Sequence, residues 1–92
     1  MSRSLKIKVS GQVQGVFYRA STRDKAEALG LCGFVRNEPD GKVYIEVEGD
    51  EFALKQFVDW CWQGPMLAQV TNVQIRENKW QGFETFLIRY DE

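Results

Sequence analysis

The segment Gly11-Gln12-Val13-Gln14-Gly15-Val16-Phe17-Tyr18-Arg19 joins a stretch of alternating residues to one with helical spacing. A glycine turn at such a junction lets several backbone N–H groups converge. The helix that follows presents the positive end of its dipole at the same place. Arg19, at the helix entry, adds a planar cation able to hold two oxygens of one anion at once. A lone cation there is mildly unfavourable with the dipole, and a bound dianion would compensate it. Together these parts make an oxyanion cradle. Glycines that merely form a turn are the plainer reading, and the two readings agree, because a phosphate-holding loop needs such turns.

No histidine occurs in the 92 residues, which removes the commonest neutral-pH acid–base group and the commonest metal ligand. The only cysteines, Cys32 and Cys61, are far apart in sequence, so neither a zinc site nor a disulfide scaffold is expected. Asn37, just before Glu38-Pro39-Asp40-Gly41, could serve simply to prepare a turn by bonding nearby backbone. Arg23 and Arg36 read as solvated charge, and Trp60, Trp62 and Trp80 as core or rim aromatics.

The elements that would position the cradle follow from periodicity. Leu5, Ile7 and Val9 alternate with Lys6, Lys8 and Ser10, a half-buried strand. Tyr18, Thr22, Ala26 and Leu29 fall on one helical face, with Gly30 placed to end that helix. A Ser21–Asp24 capping box competes with a helix start nearer Tyr18, and the pattern leaves that boundary open. Cys32–Glu38 and Lys42–Glu48 read as a hairpin across Pro39-Asp40-Gly41. Asp50 is the N-cap of a helix carrying Leu54, Phe57, Val58 and Cys61 on one face, and Gly64-Pro65 ends it. Ala68 and Val70 are out of phase with Val73 and Ile75, which places a bulge near Thr71-Asn72. After a turn at Lys79–Gly82, Phe86, Ile88 and Tyr90 close the chain as a last strand.

This order, βαββαβ with a short closing strand, implies one α+β domain over residues 1–92. Its expected form is a ferredoxin-like sandwich, an antiparallel sheet with two helices on one face. The first and third strands are expected as central, parallel neighbours. A length of 92 residues, 43% hydrophobic content and 27% charged content fit one globular core. The start alternates polar and apolar residues, so neither a signal peptide nor a membrane span is expected, and the cytoplasm is the expected compartment. The net charge of −1 conceals an asymmetry: residues 1–42 hold eight Lys/Arg against four Asp/Glu, and residues 43–92 hold four against nine. The cradle lies in the positive half.

Gly11-x-Val13-Gln14-Gly15-Val16-x-Tyr18-Arg19 resembles the acylphosphatase signature, with Tyr18 where that family usually has Phe. Gly30-Leu31-x-Gly33-Phe34-Val35-x-Asn37-x-x-Asp40-Gly41-x-Val43 resembles its second motif, at the expected distance. The likeness continues through Gly64-Pro65 to Phe86-x-Ile88-x-Tyr90. It implies the same fold and hydrolysis of acyl phosphates to a carboxylate and inorganic phosphate. By the resemblance, Gly15, Val16, Phe17, Tyr18 and Arg19 bind the substrate phosphate, Arg19 through its guanidinium. Asn37 positions the attacking water. No metal or other cofactor is implied. The expected ligands are a small-molecule acyl phosphate and, as product mimics, phosphate or sulfate, bound by a monomer. An RNA-binding module shares the element order, and Gly33-Phe34-Val35 faintly echoes its aromatic strand motif. Arg36-Asn37 falls where a further aromatic is needed, and an isoelectric point near 5.5 lacks the basic footprint, so neither nucleic acid nor membrane is expected as a partner. A detached acylphosphatase-like domain of the hydrogenase-maturation type is a third reading.

Overall fold

In the computed structural model, which describes residues 1–90, the order of elements is β1 (Ser2–Gln12), α1 (Tyr18–Ala28), β2 (Cys32–Asn37), β3 (Val43–Asp50), α2 (Glu51–Gln63), β4 (Gln69–Glu77) and β5 (Phe86–Arg89). The strands form one sheet in the order β4-β1-β3-β2-β5. This is the ferredoxin-like α+β arrangement. Neighbours among β1 to β4 run antiparallel, and β5 adds to β2 in parallel.

One expectation is corrected. β1 and β3 are central neighbours, but they pair antiparallel, from Ser2 with Asp50 to Val9 with Val43. The α1 crossover returns the chain in the direction of β1 and leaves a strand-wide gap. β3 enters that gap by a tight hairpin from β2, so it must oppose both neighbours.

The pairing register lays residues of the helix-facing phase in rows. Ile75, Ile7, Ile45, Val35 and Ile88 lie side by side across all five strands. Val73, Val9, Val43 and Asn37 form the next row, so Asn37 takes the place in the pattern where an apolar residue belongs. Tyr18, Ala26, Leu54, Phe57 and Cys61 from the two helices complete the same core, which places both helices on one face.

Local chemistry sets the helix ends. The Asp50 carboxylate accepts from the N–H groups of Phe52 and Ala53 at 3.0 and 3.3 Å, the N-cap read from sequence. At the end of α1, Gly30 N–H donates to Glu27 and Leu31 N–H to Ala26, the paired bonds of a Schellman turn. α1 begins at Tyr18 rather than at a Ser21–Asp24 box; the side chain of Asp24 instead meets Arg23.

Glu48 faces away from the helices yet is only 2% exposed, because the segment before β5 folds over it. Its carboxylate accepts from Ser4 Oγ at 3.0 Å and from the backbone N–H groups of Gln81, Gly82 and Phe83. That one side chain ties β1, β3 and the approach to β5 together. Glu48→Ala strands several donors and should cost about 2–4 kcal/mol, a fall of at least roughly 8 °C in melting temperature for a domain of this size. A thermal melt within about 3 °C of the parent protein would contradict this anchoring role.

Candidate active site

The loop between β1 and α1 leaves the sheet at an irregularity. Ser10 pairs with Asn72 but Gly11 pairs with Val70, so Thr71 is the extra residue of the bulge expected near Thr71-Asn72. Gly11 has φ +125°, and any Cβ there would run into the carbonyl of Gln69. Beyond the bulge the chain turns at Gly15, φ +74°, with open space beside it. Phe17 then adopts the left-handed conformation, φ 65° and ψ 22°, as the residue capping α1, with no side-chain cap bond. The first N–H groups of α1 therefore face the loop without partners inside the helix.

Tyr18 fastens this helix start to the core. Its hydroxyl donates to the Cys61 carbonyl at 2.8 Å, and its ring packs on Trp60 at 5.5 Å. Burial pushes the Tyr18 phenol well above its usual range and the Cys61 thiol up to about 12, so both stay neutral. Only the backbone of Tyr18 is left to meet a ligand, and Val16 likewise packs its side chain against the core. Arg19, half-buried on the first turn, lays its guanidinium over the Tyr90 ring at 4.6 Å from the centroid. Among the described residues Arg19 has no carboxylate partner. No acidic residue lies in the first turn of α1.

The second half of the site comes from the end of β2. Asn37 is half-buried, and its Oδ1 is a buried acceptor with no hydrogen-bond partner among the described residues. A cavity of about 290 Å³ brings the two halves together: Gly15, Phe17, Tyr18 and Arg19 line it with Asn37 and Tyr90. A neighbouring concavity shares Arg19, Asn37 and Tyr90 and adds Glu38 and Pro39. The structure thus places five of the six sequence-derived site residues around one space. Val16 lies in the same loop without lining it.

Sequence reading missed two members. Gln14 Nε2 donates to the carbonyls of Glu38 and Lys42, both at 2.9 Å, and so ties the loop to the β2–β3 hairpin. Tyr90 reads in sequence as a residue of the last strand, but β5 ends at Arg89 and Tyr90 lies just past it. Neither contact leaves a local sequence signal. Arg36 also departs from the solvated reading: its Nε donates to Glu38 at 2.8 Å, and its guanidinium lies over Tyr44. Trp62 and Trp80 are exposed, whereas Trp60 packs on the core. No helix among the described residues is long and apolar enough to cross a membrane.

Residues 5–88 match the family model described as Acylphosphatase. The acylphosphatase of Thermotoga maritima is 48% identical over 88 residues, which cover 96% of this chain and 98% of that one. Among solved structures, an acylphosphatase from Coxiella burnetii superposes with a TM-score of 0.93 at 38% identity, covering 96% of this chain and 93% of that one. The acylphosphatase from Bacillus subtilis gives 0.93 at 36% identity, with coverage of 98% and 100%.

Gln14→Met keeps the volume of the side chain but removes both donated bonds. Each carbonyl keeps one backbone donor, Gly41 N–H on Glu38 and Glu38 N–H on Lys42, so the cost is that of the two lost bonds, about 1–3 kcal/mol, roughly 4–24 °C of melting temperature. The stabilisation by added phosphate should shrink as well, because the loop loses its fixed position. Melting curves with and without phosphate check both effects. A parent-like rise with phosphate would contradict the bridging role.

Proposed function

The chain belongs to the acylphosphatase family and is an enzyme that hydrolyses acyl phosphates, and on that premise we propose that it does so without a metal, with Arg19 and the Gly15–Arg19 loop binding phosphate and Asn37 positioning the attacking water. The observation that carries this reading is the shared cavity. Among the described residues, a guanidinium with no carboxylate partner and a buried amide oxygen with no hydrogen-bond partner line one space at a helix N-terminus.

The N–H groups of residues 15–18 and the Arg19 guanidinium supply donors and positive charge for the phosphoryl oxygens. Asn37 Oδ1 is an acceptor only, and a water O–H is a donor that suits it. Water held there attacks phosphorus. As the new P–O bond forms, the bond from phosphorus to the bridging oxygen breaks, and the carboxylate leaves with that oxygen. One proton of the water stays on the attacking oxygen, and the other passes to a phosphoryl oxygen of the substrate. A carboxylate leaving group needs little protonation, so the lack of a histidine is no obstacle. Catalysis then rests on orientation and charge stabilisation.

Metal independence is supported by the donor set. The chain has no histidine, and the described residues contain no group of three or more Cys, Asp or Glu side chains placed to hold an ion. Two free cysteines outside any disulfide scaffold support a reducing compartment, and we assign a cytoplasmic monomer acting on a small molecule, with no nucleic-acid or membrane partner.

Release of inorganic phosphate from a simple acyl phosphate, measured in a strong chelator, tests the reading, with Arg19→Ala as the second arm. Turnover by the parent protein should be unaffected by the chelator. Arg19→Ala should lose several kcal/mol in kcat/KM, at least about a thousandfold. Loss of parent activity in chelator with recovery on adding zinc or magnesium would overturn the metal-free mechanism.

A further inference from the structure

Phe17 is 75% exposed and sits in the left-handed conformation. For a bulky residue that conformation is unfavourable by about 1–2 kcal/mol, and an apolar ring left in water adds to it. Glycine or asparagine would make the same turn with less strain. Phe17 therefore gives the fold nothing that a smaller residue would not. Tyr90, 73% exposed, stands elsewhere around the same cavity, its ring oriented by the Arg19 guanidinium. Ile88 and Val13 also line it. Arg19 and Asn37 make up the polar part of this space, and Phe17, Ile88 and Tyr90 an apolar wall beside it.

We propose that Phe17 and Tyr90 form the acyl-group subsite and select acyl phosphates whose acyl group is apolar, above all flat and aromatic. The inference rests on the proposed placement of phosphate at Arg19 and the loop, which leaves the acyl group as the part of the substrate that meets this wall. Flat rings suit it, because aromatic side chains pack with rings in offset or edge contact. A charged acyl group would find no partner on this wall, which is formed by Phe17, Ile88 and Tyr90. In the neighbouring concavity the carboxylate of Glu38 holds Arg36, and Arg89, which also lines it, has its guanidinium 3.9 Å from the centroid of the Phe34 ring.

The test compares kcat/KM for benzoyl, acetyl and succinyl phosphate in the parent protein, Phe17→Gly, Phe17→Asn and Phe17→Tyr. Glycine and asparagine both tolerate the left-handed conformation and so remove the ring without forcing the loop to move. The benzoyl-to-acetyl ratio should fall about five- to tenfold in those two variants and stay near the parent value in Phe17→Tyr. A general loss caused by disturbing the cradle cancels in the ratio. An unchanged ratio in both Phe17→Gly and Phe17→Asn would overturn the subsite, as would a parent enzyme that favours succinyl over benzoyl phosphate. A parent protein that releases no phosphate from any of the three would instead overturn the hydrolytic reading, and the subsite with it.

Discussion

The amide of Gln14 donates to the carbonyls of Glu38 and Lys42, and through those two bonds the loop after β1 is held against the hairpin that follows β2. These partners are 24 and 28 residues apart in the chain. The sheet makes the meeting possible, since β3 inserts between β1 and β2 and brings their ends together. The bulge at Thr71, opposite Gly11, then sends the loop away from the strand ladder, and Tyr18 pins its far end to α2. Between these fixed points the loop has little freedom. Its donors are therefore oriented before any ligand arrives, which is what electrostatic stabilisation requires.

Charge is arranged to the same end. Arg19 stacks on Tyr90 and meets no carboxylate among the described residues, and α1 opens without an acidic residue in its first turn. The usual compensation for a helix N-terminus is thus missing beside an added cation. An isolated fold gains nothing from this; a dianion restores the balance. The orphan Oδ1 of Asn37 has the same logic, because a buried acceptor without a partner costs free energy until something donates to it. The local departures from good folding practice gather around one cavity.

Much of this was legible in the residues wherever local chemistry decides. Asp50 as N-cap, the Pro39-Asp40-Gly41 hairpin, the end of α1 at Gly30 and the phase shift at Thr71 each follow from neighbours in sequence. The direction of β1 against β3 does not, because it depends on how a crossover and a hairpin combine. The start of α1 was open between two signals, and tertiary context chose Tyr18, whose hydroxyl and ring are buried in the core. Gln14 and Tyr90 were hidden for the same reason, since their partners are distant in sequence. Asn37 could have been singled out by its phase, as a polar residue in a row with Val9 and Val43.

Steady-state kinetics and thermal melting of Asn37→Ala bear most directly on the central claim, that a held water and a preformed phosphate cradle suffice for the reaction. The cradle is untouched by this change, so KM should stay near the parent value and the melting temperature within a few degrees of it. Loss of nucleophile orientation should lower kcat by on the order of a hundredfold or more. A destabilised Asn37→Ala protein with nearly normal kcat would contradict the account, and would return Asn37 to the simple role of preparing a turn.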